Sequence, residues 1–152
     1  MTATDTQWIE SARTLLRESG RRSGGARAEV IEQISRERCA VSADQLASAL
    51  SIRGRRVGRA SLYRALEALE EINLVQRVEF GDGNARWERV GGGGNHDHHH
   101  HHLVCRSCGT VVPFEDDQLE QALSELSNKS AFSVDSHDVT LHGRCSSCSA
   151  ST

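Results

Sequence analysis

Apolar positions in the first part of the chain recur at steps of three and four, broken by short polar stretches. Residues 6–18 place Trp8, Ile9, Ala12, Leu15 and Leu16 at helical spacing. A glycine-rich break at 20–25 follows, and 26–38 resumes the pattern with Val30, Ile31 and Ile34 on one face. Ser42 with Gln45 three residues on is a capping-box signature, in which hydroxyl and amide satisfy the unpaired N–H groups of a helix start. The helix it opens should bury Leu46 and Leu50. After a basic turn at 53–58, Leu62, Leu66, Leu69 and Ile72 mark the buried side of a helix over 61–72. Residues 75–80 and 85–90 read as strands, with Gly81-Asp82-Gly83-Asn84 as the hairpin turn.

The periodicity changes after a run of glycines at 91–94 that neither helix nor strand favours. Residues 102–104 and 110–114 look like strands flanking a Cys105-Arg-Ser-Cys108 knuckle. Residues 116–129 form a helix whose acidic first turn suits the positive end of its dipole, with Leu119, Ala122, Leu123 and Leu126 as its apolar face. Residues 136–143 alternate as a strand, with Val139 and Leu141 on one face. We therefore expect an α+β chain in two domains: a winged helix-turn-helix over 1–90, a glycine-rich hinge over 91–97, and a small zinc-stapled α/β domain over 98–152. In such a winged layout the second helix of the pair enters the major groove.

The net charge of −3 does not by itself point to nucleic acid. Its distribution is more telling. Residues 1–94 carry 15 arginines and 13 acids, whereas 95–152 carry 3 basic residues and 8 acids. Between Arg53 and Arg64 there are five arginines and no acid. This stretch is either a solvated surface or a cationic patch that meets phosphates. Together with the helix-turn-helix layout it favours DNA. The candidate contacts are Arg55, Arg56, Arg59, Ser61, Tyr63 and Arg64, because Arg bridges guanine edges or clamps phosphate and Tyr donates or stacks. No apolar run approaches the roughly 20 residues of a spanning helix, and no leader-like segment opens the chain. A cytoplasmic location without a membrane partner is expected.

Of five cysteines, four form two CxxC pairs, Cys105/Cys108 and Cys145/Cys148, with 36 residues between them. Two thiolate pairs can close a tetrahedral zinc site, which is structural because no coordination position stays open. A single CxxC could be a redox pair, but no thioredoxin-like frame surrounds either one. A domain of this size has little core, and a metal would staple its ends. Cys39 stands apart and reads as a small buried hydrophobe. The run from His96 to His102 abuts Cys105. His96 and His98 fit a metal-scavenging tract. Nearer the cysteine, strand alternation would send His99 and His101 one way and His100 and His102 the other. One run could then feed two sites, with Glu120 and His137 partnering the first set and Glu88 the second. Imidazole suits zinc, iron, nickel and copper. The reading is a metal-responsive DNA-binding regulator. A CxxC redox sensor and a His-rich metal-buffering protein are the alternatives. No HExxH motif or nucleophile–base arrangement suggests an enzyme.

These strings together resemble a known family. HHHHHLVCRSCG, VVPFEDDQLE and SHDVTLHGRCSSC resemble the dimerisation domain of the ferric uptake regulator family, and VSADQLASAL with VGRASLYRALEALEEINLV resembles its winged helix. The resemblance implies a homodimeric metal-dependent repressor of metal-homeostasis genes on double-stranded operator DNA. In it, a metal fixes the hinge so that two recognition helices meet adjacent half-sites. By position, Cys105, Cys108, Cys145 and Cys148 match the structural zinc ligands. His99, His101, Glu120 and His137 match the site within the dimerisation domain, and Glu88, His100 and His102 match ligands of the hinge site. Tyr63 matches the recognition-helix tyrosine, with Arg64 after it. The sensed ion is expected to be Fe2+ or Zn2+, with Mn2+ or Ni2+ next. The chain departs from the family pattern at several places. Ala40 stands where iron-sensing members have a histidine, with Cys39 beside it as a possible thiolate substitute. His101 replaces a frequent aspartate, and Gln76 stands at an aspartate position of the zinc-sensing branch. Pro113 stands where peroxide sensors need an acid.

Overall fold

The computed structural model describes residues 3–90 and 100–150. The chain divides into two units, Met1–His96 and Asp97–Thr152. The expected hinge at 91–97, and with it His96, His98 and His99, lies outside the described residues.

The first unit runs α1 (Ala3–Glu18), α2 (Ala26–Ile34), β1 (Val41–Ser42), α3 (Ala43–Ile52), α4 (Arg59–Glu70), β2 (Val75–Glu79) and β3 (Ala85–Arg89). The helical stripes read from sequence converge on one core. Leu16, Ile31, Ile34, Leu46, Leu50, Leu62, Leu66 and Leu69 are fully buried, one or more from each helix. α2 stops at Ile34 rather than continuing to 38. There the Ser35 hydroxyl turns back onto the Glu32 carbonyl at 2.9 Å. The next N–H groups, of Arg36 and Glu37, take carbonyls three residues back. Such local bonding competes with further helix. The capping box forms both of its bonds: Gln45 N–H donates to Ser42 Oγ at 3.2 Å and Ser42 N–H to Gln45 Oε1 at 2.8 Å.

β2 and β3 make the expected hairpin, and β1 adds a short third strand in the order β1-β3-β2. Two residues carry no readable alternation, so β1 was invisible in the sequence. Its register, Val41 opposite Trp87 and Ser42 opposite Arg86, anchors the wing directly before α3. At the wing tip Gly81 and Gly83 adopt φ of 74° and 75°, where a side chain would be strained. Asp82 accepts both guanidinium nitrogens of buried Arg86 at 3.0 and 2.7 Å. That bidentate bond holds the Asp82 carboxyl well below the usual carboxylate range.

The second unit runs β4 (His101–Cys105), β5 (Val111–Phe114), α5 (Asp117–Lys129), β6 (Thr140–Gly143) and α6 (Ser146–Ser149). β4 is central, antiparallel to β5 and parallel to β6, so the chain crosses over through α5 between the two edge strands. Asp116 caps α5 through a 2.8 Å bond from Leu119 N–H. One expectation needs correction. The last strand begins at Thr140, not 136, because Val139 N–H is turned onto the His101 ring instead of a neighbouring strand. The apolar face expected for α5 is not packed away: none of its residues is buried, and Leu126 is exposed, as is Leu141 on β6.

The chain's two tryptophans, Trp8 and Trp87, both lie in the first unit, so their fluorescence reports on it alone. Ser42→Ala should destabilise that unit by about 1 kcal/mol in denaturant titration, and Ser42→Gly by only a few tenths. Equal losses for the two would mean the hydroxyl cap contributes little.

Candidate metal centres and nucleic-acid interface

The two cysteine knuckles meet at the end of the second sheet. β4 ends at Cys105, and the chain turns through Gly109, whose φ of 73° lets its N–H reach back to the Cys105 carbonyl at 2.9 Å. β6 runs beside β4 and delivers Cys145 to the same place. Cys145 N–H points at Cys105 Sγ from 3.3 Å. All four sulfurs lie within 4.8 Å of one another, and Cys108 Sγ is 3.7 Å from Cys145 Sγ. A disulfide needs about 2.05 Å. A tetrahedron of thiolates about 2.3 Å from zinc has sulfur–sulfur edges of roughly 3.8 Å. The separation fits the second arrangement.

The protonation of the sulfurs leads to the same place. Backbone N–H groups of Cys145 and then Cys108 hold the Cys105 thiol down at about 6. The Thr110 hydroxyl, 3.2 Å from Cys108 Sγ, and the Thr110 backbone lower Cys108. Cys148 is pushed up to about 12 by the sulfurs of Cys145 and Cys108 beside it. Four thiolates cannot share this space unless a cation lies among them. The donor set therefore fits a closed, soft-ligand zinc site.

A second cluster lies on the inner face of β4. His101 is fully buried, with its ring between Phe114 and His137. Its Nε2 is 2.7 Å from Glu120 Oε1, and His137 Nε2 is 3.1 Å from Glu120 Oε2. Val139 N–H donates to His101 Nδ1 at 3.3 Å. In the neutral ring the proton must then sit on Nε2, facing Glu120. Two imidazole nitrogens and a carboxylate converge within 4.8 Å, a donor set that suits a borderline divalent ion.

The alternation inferred for the histidine run holds over its described part. His100 and His102 stack edge-to-face at 4.9 Å, on the side of the strand opposite His101. Glu88 is buried on β3, and Gln76, directly across on β2, donates its amide to Glu88 Oε1 at 2.6 Å. Cys39 lies half-exposed between α2 and β1. Sequence reasoning did not single out Thr110 or the Val139 backbone. Neither residue type is a ligand, and only the fold brings them to the sites.

In the first unit α4 exposes the side chains expected to meet DNA. Arg59, Tyr63 and Arg64 face outward while Leu62 and Leu66 are buried. Tyr63 rests edge-on against Trp87 at 5.9 Å, so β3 fixes the ring's orientation. Arg64 Nη2 donates to Ser61 Oγ at 3.2 Å. Arg56 is exposed on the preceding turn. Arg55 reaches Glu29 on α2 at 3.3 Å, which ties that turn to the helix behind it.

The ferric uptake regulator family model matches residues 18–142, which takes in both units. The chain belongs to the ferric uptake regulator family. Its relatives include the ferric uptake regulation protein of Vibrio cholerae, 32% identical over 133 residues, or 87% of this chain and 85% of that one. The zinc uptake regulation protein of Mycobacterium tuberculosis is 34% identical over 107 residues, 70% of this chain and 78% of that one. The crystal structure of the Vibrio cholerae ferric uptake regulator superposes with a TM-score of 0.72 at 30% identity, covering 88% of this chain and 98% of that chain. Members of the family are metal-responsive transcription regulators, and this chain is one of them. Near-equal identity to an iron-named and a zinc-named relative leaves the choice of metal to the ligands themselves. Among the described residues no helix is long and apolar enough to cross a membrane.

Cys145→Ser should lower the tightly held zinc from one per chain to none, counted by native against denaturing mass spectrometry. Cys39→Ser should leave that count unchanged.

Proposed function

We propose that this family member is a metal-dependent repressor of metal-homeostasis genes, acting as a homodimer on double-stranded operator DNA. Cys105, Cys108, Cys145 and Cys148 hold one structural zinc. His101, Glu120 and His137, with His99, bind an exchangeable divalent ion. Glu88, His100 and His102 are the further ligands that the family pattern assigns to sensing, and Cys39 is the candidate to join them. His96 and His98 serve as accessory ligands.

One observation carries the reading: a closed four-sulfur cluster and a separate imidazole–carboxylate cluster, each with one member on β4. Four thiolates retain zinc and leave no position open, whereas nitrogen and oxygen donors exchange their ion more readily. The first set suits a permanent part of the fold and the second a sensor. His101, Glu120 and His137 would hold the ion, whose positive charge would neutralise the Glu120 carboxylate. Imidazole at 101 in place of a carboxylate suits Zn2+, Fe2+ and Ni2+ better than the harder Mn2+; the family resemblance puts Fe2+ and Zn2+ first. The uncovered apolar face of α5 supports a second copy as its cover. On the DNA side, Arg55, Arg56, Arg59 and Arg64 meet phosphates or guanine edges, and Ser61 and Tyr63 donate to the backbone or read bases.

The test is gel-shift binding to DNA upstream of the protein's own gene, anaerobically, with iron(II), manganese(II), zinc(II) and nickel(II) in turn. At least one ion should tighten binding more than tenfold, about 1.4 kcal/mol of coupling. Tyr63→Ala should weaken DNA binding and leave metal binding intact. If no ion changes the affinity, the repressor reading fails. If an oxidant alone controls binding in a zinc-free protein, the redox reading replaces it.

A further inference from the structure

Arg59 opens α4, the helix read above as the DNA-recognition helix. That helix has Gly58 at its N-cap, no side-chain cap and no acid in its first turn. A cation there faces the positive end of the helix dipole, which disfavours it. The compensating charge comes from another element. Asp44, in the first turn of α3, accepts from Arg59 Nη2 at 2.7 Å, and the two side chains are 75% and 70% exposed.

Arg53 and Arg55 of the preceding turn are held differently. Arg53 reaches Glu32 at 4.0 Å and Gln33 at 3.1 Å, and Arg55 reaches Glu29 at 3.3 Å. Those carboxylates are on α2 and only 33% and 26% exposed, so they belong to the packing behind the turn. The Asp44–Arg59 pair stands in water at the edge of the candidate DNA face. An exposed pair of this kind contributes little to folding.

We propose that Asp44 restrains DNA binding: its carboxylate occupies, in the free protein, the place of a DNA phosphate at Arg59. A phosphate that reaches Arg59 must displace it. Non-specific binding rests almost wholly on phosphate contacts and bears this competition in full. Operator binding adds base-edge contacts from α4 but meets the same cost at Arg59, because a phosphate contact carries no sequence information. Asp44 thus lowers affinity on operator and bulk DNA alike. The inference rests on the DNA-binding reading of α4 and goes beyond it.

The experiment compares full-length, metal-loaded wild type with Asp44→Asn by fluorescence anisotropy on an operator duplex and a scrambled duplex. Salt is varied from about 50 to 200 mM. Asp44→Asn should bind both duplexes about two- to fivefold more tightly. On both, its log-affinity against log-salt slope should steepen by up to about 0.9, one phosphate contact that the wild type forms only in part. The specificity ratio and the thermal midpoint should hold. Asp44→Glu should behave as wild type. Glu125→Gln, which makes the same charge change in the other unit, should alter neither affinity. An unchanged slope with both affinities at wild-type values overturns the proposal. So does a parallel loss on both duplexes, since Asp44 would then merely orient Arg59. A chain that binds no duplex with any metal sinks the repressor reading itself. Operator binding by Asp44→Asn at the wild-type slope sinks this inference alone.

Discussion

Four sulfurs crowded into one corner cannot all ionise without a cation, and the second unit depends on that constraint. Among its described residues only His101, His102, Val104 and Cys105 are buried. So few side chains cannot offset the backbone entropy of ordering a sheet and two helices. The parallel pairing of β4 with β6 needs a crossover through α5, which is costly to close without a reward at its end. That reward is at the strand ends, where Cys145 N–H already donates to Cys105 Sγ and the Arg106 N–H to the Gly143 carbonyl. A cation among the sulfurs would convert these weak contacts into a staple.

The same strand connects structure to sensing. β4 carries sulfur at its far end and imidazoles at its start, and its alternation sends His101 to one face and His102 to the other. Its first residues are buried although they are polar. The geometry around them is specific: Glu120 bridges His101 and His137, and Val139 fixes the His101 tautomer. Buried polar groups held this closely form a ready donor set for a divalent ion. On the reading proposed above, the chemical contrast between the two ends of a five-residue strand would separate a permanent ion from an exchangeable one.

Much of this was legible in the sequence where the code is local. Helical stripes located the first-unit core, Ser42 and Gln45 announced a helix start, and the Gly-Asp-Gly-Asn turn announced the wing. The two CxxC pairs gave the sulfur cluster, because knuckle spacing is itself a geometric statement. What stayed hidden depends on the tertiary fold. β1 and α6 are too short to carry a period. Residues 136–139 alternate like a strand, but their backbone is diverted by a histidine ring some 38 residues away in sequence. The Asp44–Arg59 pair joins the starts of two helices and has no motif. Metal identity was not readable for a different reason, since imidazole and carboxylate serve several ions.

Zinc-edge X-ray absorption of the purified protein, carrying only its tightly held metal, tests the central claim most directly. The account predicts a first shell of four sulfurs at about 2.3 Å with no nitrogen or oxygen. A shell with fewer than four sulfurs, or a purified protein without zinc whose paired cysteines take up alkylating reagent only after reduction, would contradict it.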